Sequence, residues 1–204
     1  MRAVVTRVRS ASVTIDGRTV GKIGRGFLIL LGVGPGDGEA QCRRLAEKAL
    51  GLRVFEDENG KMNLGLEQVG GQVLVVSQFT LYGNCRKGRR PSFTDAANPE
   101  LGERLYEQFL ADCASLGYPP QHGRFGADMK VESINDGPVT LILDVAMVLS
   151  TARVRVKEMS GKDLPGGRSA ITIRFEVKDV AELESVRTKL LNIRDVVGSR
   201  RGQN

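Results

Sequence analysis

The residues best placed for chemistry stand where an apolar run gives way abruptly to a polar one. Val73 to Gly83 reads Val-Leu-Val-Val-Ser-Gln-Phe-Thr-Leu-Tyr-Gly. A continuous apolar strand that ends in small polar side chains sets Ser77, Gln78 and Thr80 at the rim of a core. Thr80 is a nucleophile in principle, but no paired base stands at a recognisable spacing, so a pocket or positioning role ranks ahead, beside the plain alternative of a strand threonine. Phe79 reads equally well as core. A second segment, Ile134 to Leu143, reads Ile-Asn-Asp-Gly-Pro-Val-Thr-Leu-Ile-Leu. Its Gly137-Pro138 pair predicts a tight turn before a β-rich run, with a prolyl bond that could be cis. The two segments are expected to meet.

Directly after the polar strand end comes Arg86-Lys87-Gly88-Arg89-Arg90, four cations in five residues. Such a run can neutralise phosphates, or can simply be a solvated loop. Its position beside the candidate site makes Arg86, Lys87, Arg89 and Arg90 candidates for nucleic-acid contact. His122 is the only histidine and lies in a Pro-rich loop, where a surface role is the better reading than that of a general base. No carboxylate pair at glycosidase-like spacing and no phosphate-cradling glycine motif stands out. Cys42, Cys85 and Cys113 form an odd, sparse set without a C-x-x-C pair, so neither a disulfide framework nor a metal site is suggested, and no cofactor is expected.

The Ser77-Gln78-Phe79-Thr80 and Asn135-Asp136-Gly137-Pro138-Val139-Thr140 runs resemble the two signature motifs of the D-aminoacyl-tRNA deacylases. The opening Met-Arg-Ala-Val-Val-Thr-Arg-Val, Gly88-Arg89-Arg90-Pro91-Ser92-Phe93 and Gly123-Arg124-Phe125-Gly126-Ala127-Asp128-Met129 fit the same family in the same order. The resemblance runs from Met1 to about Asp144. It implies a metal-independent ester hydrolase acting on the 3′ end of D-aminoacyl-tRNA in translational proofreading, and a homodimer in which the Gly-Pro turn of one subunit enters the pocket of the other.

An aminoacyl-tRNA is an activated ester, so refusing the L-isomer is the harder task. If Gly137-Pro138 is cis, two neighbouring carbonyls could point one way and hold the substrate's α-ammonium, driving an L-side chain against the rigid turn. Glycine would slip through, which extends the expected substrates to glycine mischarged on an alanine tRNA. Donors around Ser77 and Phe79 would stabilise the tetrahedral oxyanion, each worth roughly 3 kcal/mol. Ser77 and Gln78 are the first choices for direct contact. The resemblance favours activation assisted by the tRNA's terminal 2′-hydroxyl. Phe125 and Met129 are candidates to line the adenosine pocket, or ordinary core. Two rival readings are a tRNA-binding module without catalysis and an amino-acid sensor.

The elements that must position these residues follow from periodicity. Ala3 to Ile15 alternates, and Asp16-Gly17 predicts a hairpin turn into Thr19–Ile23. Gly26 to Gly34 is almost wholly apolar, as a central strand should be. Glu39 to Leu52 has helical spacing at Cys42, Leu45, Ala46, Ala49 and Leu52, with Asp37 available as cap. Glu56-Asp57-Glu58-Asn59-Gly60 predicts a solvated turn. Asn98-Pro99 starts a second helix with Leu101, Leu105, Phe109, Cys113 and Leu116 on one face and Gly117 to end it. Met129–Ser133 and Val139–Leu143 read as separate strands. The sum is an α+β domain, a mixed, barrel-like sheet with two main helices, over residues 1–145.

Residues 146–204 remain. They hold 12 Lys+Arg against 7 Asp+Glu, whereas residues 1–145 hold 18 against 17, so most of the net charge of +6 lies in the extension. Alternation at Ala152, Val154 and Val156 and at Ile171, Ile173, Phe175 and Val177 predicts two strands joined by a Lys162–Gly167 loop. Asp179 to Glu182 has capping-box spacing ahead of a helix, and Val196–Arg200 suits a last strand. This ββαβ order resembles the later part of an ACT domain of the kind that ends bifunctional stringent-response enzymes. The first ACT strand is missing and the first helix is at best the stub Val145–Ser150, so a degenerate remnant without a ligand site is expected. Hydrophobic residues at 41% and charged at 26% are globular values, and no run reaches the roughly 18 to 20 apolar residues of a membrane span. The chain reads as cytoplasmic.

Overall fold

Three strands of the first unit pair directly with one long strand, β1 (Arg2–Ile15). The computed structural model describes residues 1–86, 88–144, 155–164 and 168–176, the last two ranges by their backbone. Along one part β1 pairs antiparallel with β3 (Gly26–Gly32), from Arg2↔Gly32 to Val8↔Gly26, and along its later part with β2 (Arg18–Ile23). The β1–β2 turn is the expected one: Asp16 and Gly17 both take positive φ, 49° and 76°, as a two-residue hairpin needs. β3 is buried along nearly its whole length. It runs parallel to β6 (Gln72–Ser77), which pairs with the two-residue β7 (Gln121–His122). A parallel pair requires a crossover. It is made by α1 (Glu39–Leu50) and the small hairpin β4 (Phe55–Glu56) and β5 (Met62–Leu64).

Where β3 begins, a Cβ on Gly26 would lie 1.8 Å from the Gln72 carbonyl oxygen, so only glycine lets the two strands approach. The sheet curls toward closure: at Gly21 of β2 a Cβ would sit 3.1 Å from the main-chain oxygen of His122 in β7. Two apolar clusters result. One holds Val5, Phe27, Ile29, Leu45, Phe55, Leu105 and Phe109 under the helices, with Phe27 stacked on Phe55 at 5.2 Å. The other holds Val8, Val13, Ile23, Leu28, Leu74 and Val76 inside the curl.

α2 (Pro99–Ser115) starts as its sequence requires, with the Asn98 side chain accepting from the Leu101 N–H at 2.9 Å and Pro99 in the first position. α1 departs from expectation at both ends. Its cap is Gly38 without a side-chain bond, and it stops at Leu50 rather than Leu52. Asp37 is drawn elsewhere, to the Gly34 N–H at 2.6 Å and the Met1 amino group, because a charged donor competes better for a carboxylate than helix amides do.

The separate strands expected at Met129–Ser133 and Val139–Leu143 are one strand, β8 (Lys130–Asp144), antiparallel along β1 from Thr14↔Lys130 to Arg2↔Asp144. In the second unit, β9 (Arg155–Leu164) pairs antiparallel with β10 (Arg168–Glu176). β9 therefore absorbs Lys162–Leu164 of the predicted loop. The helix expected from Asp179, the strand at Val196–Arg200 and the stub Val145–Ser150 lie outside the described residues. Chain contacts divide the protein into Met1–Val145 and Ala146–Asn204. No helix among the described residues is long and apolar enough to cross a membrane.

Burial between α1 and α2 pushes the Cys113 thiol up to about 12, with neighbouring Asp112 adding to the effect. Burial, and then Asp112, raises the Cys42 thiol as well. Above the ordinary thiol value of 9.0 the unfolded chain ionises while the folded one stays protonated. The folded state then binds more protons, and stability must fall with rising pH. Urea unfolding is expected to show a stability loss beginning near pH 9 that shrinks in Cys113→Ala; an equal loss in that variant would contradict the assignment.

Candidate functional site

β6 ends at Ser77, in register with Leu31. One more N–H, from Gln78, reaches the Leu31 carbonyl at 2.7 Å before the chain leaves the sheet. Instead of continuing as a strand, Phe79–Tyr82 winds into a single 3₁₀ turn. Its first internal bond runs from the Leu81 N–H to the Gln78 carbonyl at 3.2 Å, followed by Gly83 N–H to Thr80 at 2.9 Å. The N–H groups of Phe79 and Thr80 therefore have no acceptor inside the turn and point off its start. The Gln78 amide donates to the Thr80 hydroxyl. An amide cannot take a proton, so this contact orients Thr80 rather than activating it.

Arg2, Tyr82 and Asp37 hold the turn in place. Arg2 donates to the Leu81 carbonyl at 3.1 Å and to Asp144 at 2.8 Å, and its guanidinium lies 4.6 Å over the Tyr82 ring. Tyr82 donates to Asp37 at 3.4 Å. Burial, with Asp37 next to it, raises the Tyr82 phenol above its ordinary value, keeping it a donor. Gly32 lets the turn sit against β3: a Cβ there would meet the Gln78 carbonyl oxygen at 3.0 Å.

After the turn, Asn84 and Ser92 exchange two main-chain hydrogen bonds of 2.7 and 3.0 Å, closing the basic run into a hairpin loop. Arg86, Arg89 and Arg90 are exposed; Lys87 lies outside the described residues. Phe79 is 56% exposed, which overturns its reading as core. Its ring packs edge-on against Phe93 at 5.2 Å.

The Gly137-Pro138 bond is cis, but it forms no chain reversal. β1 keeps its pairing on both sides, with Thr6 opposite Thr140 and Val8 opposite Asn135. Asp136 to Val139 thus bulge out of β8 opposite the single residue Arg7, an excursion wider than an ordinary bulge. Gly137 and Pro138 are exposed at its crest. Arg7, only 4% exposed, holds the base: Nε donates to the Asp136 carbonyl at 2.8 Å and Nη1 to the Val54 carbonyl at 2.5 Å, with the Asp136 carboxylate 3.4 Å away. Arg9 reaches the same carboxylate at 3.4 Å.

The expected meeting of the two segments does not occur within one chain. The bulge lies level with Phe27 and Val73 across β1 and β3, while Ser77 stands four residues further along β6. Three inter-strand steps and that offset put them roughly 20 Å apart.

Phe125 packs on the helix-side cluster, 6.1 Å from the Tyr106 ring and against Gly102. Met129 belongs to the cluster inside the curl, over Gly123. The exposed His122 turns its Nδ1 to the Gly123 carbonyl at 2.8 Å. Among the described residues no group of three or more His, Cys, Asp or Glu is placed to hold a metal ion. Sequence reasoning gave no role to Arg7, Arg2, Tyr82 or Tyr106. Tyr106 shares its single hydroxyl proton between the Val75 and Gly123 carbonyls, 3.0 and 3.2 Å away in the core, tying β6 to the segment after β7. For Arg7 a signal existed: it occupies the inward phase set by Ala3 and Val5, where an unpaired charge would be costly.

Residues 4–144 match the family model described as D-Tyr-tRNA(Tyr) deacylase. Residues 121–201 match an ACT domain model that overlaps the end of the first match. The D-aminoacyl-tRNA deacylase of Desulfatibacillum aliphaticivorans is 59% identical over 144 residues, covering 71% of this chain and 99% of that protein. That of Thermosipho africanus is 54% identical over 144 residues, 71% of this chain and 97% of its own. Among solved structures, the c-Myc DNA Unwinding Element Binding Protein aligns with a TM-score of 0.67 at 41% identity, over 71% of this chain and 98% of that one. A probable eukaryotic D-amino acid tRNA deacylase aligns with a TM-score of 0.62 at 17% identity, over 70% and 97%, a likeness of fold.

Proposed function

From the premise that this chain belongs to the D-Tyr-tRNA(Tyr) deacylase family, we propose that it hydrolyses the ester of D-aminoacyl-tRNA, releasing D-amino acid and tRNA. The observation that carries the mechanism is the 3₁₀ turn at Phe79–Tyr82, whose first two N–H groups have no acceptor inside the turn. The substrate carbonyl sits at its start, and the Phe79 and Thr80 N–H groups receive the developing oxyanion. Ser77 and Gln78 flank the ester, and Thr80 positions it. The attacking water is activated with help from the terminal 2′-hydroxyl of the tRNA. Arg86, Lys87, Arg89 and Arg90 draw the acceptor-end phosphates.

Handedness requires a rigid surface near the α-carbon, and within the chain the bulge is too distant to supply it. A second copy supplies it. Its Gly137-Pro138 crest presents main-chain oxygens to the substrate ammonium and blocks an L-side chain, while a D-side chain points away. Exposed Ile134 and Ile142 flank the bulge on β8, at 59% and 69% exposure, and suit such a homodimer contact. Residues 1–145 form the deacylase domain, working in the cytoplasm where charged tRNA is found, and residues 146–204 an ACT-like remnant dispensable for turnover. Truncation after Asp144 is expected to leave D-tyrosyl-tRNA hydrolysis within about threefold of the full chain, since the match to the family model ends at that residue.

The test is deacylation of D-tyrosyl-tRNA beside L-tyrosyl-tRNA. Release of the D-residue with the L-ester spared is expected. Binding without release from either would favour the second reading, a nucleic-acid-binding protein, which the name of one similar structure suggests for that protein.

A further inference from the structure

We propose that Phe79 and Phe93 form a stacking platform for the unpaired nucleobase directly behind the esterified nucleotide, with Arg86, Arg89 and Arg90 neutralising the phosphates that follow. This rests on the reading that the esterified RNA end lies at the Phe79 and Thr80 N–H groups. Two large rings are exposed side by side, Phe79 at 56% and Phe93 at 38%, the two aromatic members of the exposed large hydrophobic side chains among the described residues. They are not loose. The planes cross at 69° with centroids 5.2 Å apart, an edge-to-face contact that leaves one ring face free for a planar partner. Phe93 is brought in by Gly83, where a Cβ would meet its Cε1 at 3.1 Å. The Asn84–Ser92 main-chain pair fixes the stem of the intervening hairpin.

Charge selects the occupant. Arg86, Arg89 and Arg90 stand on the loop between the two phenylalanines, exposed and without an ion pair among the described residues. Free guanidinium groups beside exposed rings are what single-stranded nucleic acid requires: cations for its backbone and π faces for its bases, with little demand on sequence. A strand leaving the ester would meet the Phe79 ring first, because its own N–H holds the carbonyl, and the cations next.

The experiment compares D-tyrosyl-tRNA with the minimal ester 3′-O-D-tyrosyl-adenosine, which lacks the preceding nucleotide, in the full chain and in Phe93→Leu and Phe93→Tyr. The ratio of kcat/KM for tRNA over minimal ester is expected to fall about 5- to 100-fold in Phe93→Leu, through KM, and to recover in Phe93→Tyr. Replacing Arg86, Arg89 and Arg90 together with glutamine should flatten the dependence of log kcat/KM on log salt by about 2. An unmoved ratio, an equal loss on both substrates, or a changed oligomeric state in Phe93→Leu would overturn the platform. Failure of the unsubstituted chain to cleave either ester would instead remove the underlying reading, and the platform with it.

Discussion

Phe79→Pro is expected to lower kcat for D-tyrosyl-tRNA about 100- to 1,000-fold, the usual cost of deleting one oxyanion donor. Proline removes the Phe79 N–H and little else from the main chain. Phe79 is the first residue of the 3₁₀ turn, where a missing N–H breaks no internal bond and a fixed φ is tolerated. Gln78 before it lies outside the helical region, at φ −145° and ψ 77°, so the helical backbone that proline disfavours in its predecessor is already absent. The ring is lost as well, and Phe79→Ala controls for that. It keeps the N–H, so its loss should fall on KM for tRNA. A kcat in Phe79→Pro equal to that in Phe79→Ala, measured in single turnover, would mean the oxyanion lies elsewhere.

Arg7→Ala is expected to destabilise the first unit by about 3–5 kcal/mol in urea unfolding and to erode discrimination between D- and L-esters in whatever fraction remains folded. The substitution empties a 4%-exposed position and leaves the Asp136 and Val54 carbonyls without their donor. Most of that cost is the penalty for stranded acceptors. Arg7→Lys should restore little of it, since an ammonium cannot span the acceptors that the planar guanidinium reaches together. Near-normal stability in Arg7→Ala would show that the bulge is held by β-pairing alone.

These two residues also show how far the sequence could be read. The strand to Ser77 was legible because four consecutive apolar residues can only be buried, and the helix from Asn98-Pro99 because cap and first-turn proline act locally. The turn at Phe79–Tyr82 was not. Phe-Thr-Leu-Tyr is as good a strand sequence as a helical one, and what bends it is distant, the Arg2 contact with Leu81 and the stack on Tyr82. Gly137-Pro138 was legible as a special backbone position, but its form was not. Whether such a pair reverses the chain or bulges from a strand depends on β1 pairing on both sides, from Lys130 to Asp144. Asp37 misled for a similar reason, because its competing donors at Met1 and Gly34 are set by tertiary structure.

The proposed division of the site between two copies has a consequence that a site within one chain lacks: two differently disabled chains can repair each other. Deleting Gly137 and Pro138 removes the oxygens proposed to hold the substrate ammonium, so that variant alone should lose D-tyrosyl-tRNA hydrolysis; it leaves two residues opposite Arg7, an ordinary bulge that β8 can carry without losing register. Phe79→Pro keeps the bulge and loses the proposed oxyanion donor. The decisive measurement is D-tyrosyl-tRNA hydrolysis by the two variants alone and after co-expression in equal amounts. Half the dimers are then mixed, and each mixed dimer holds one site built from two intact halves. Recovery to about a quarter of unsubstituted activity is predicted. A mixture no more active than its separate components would contradict the shared site.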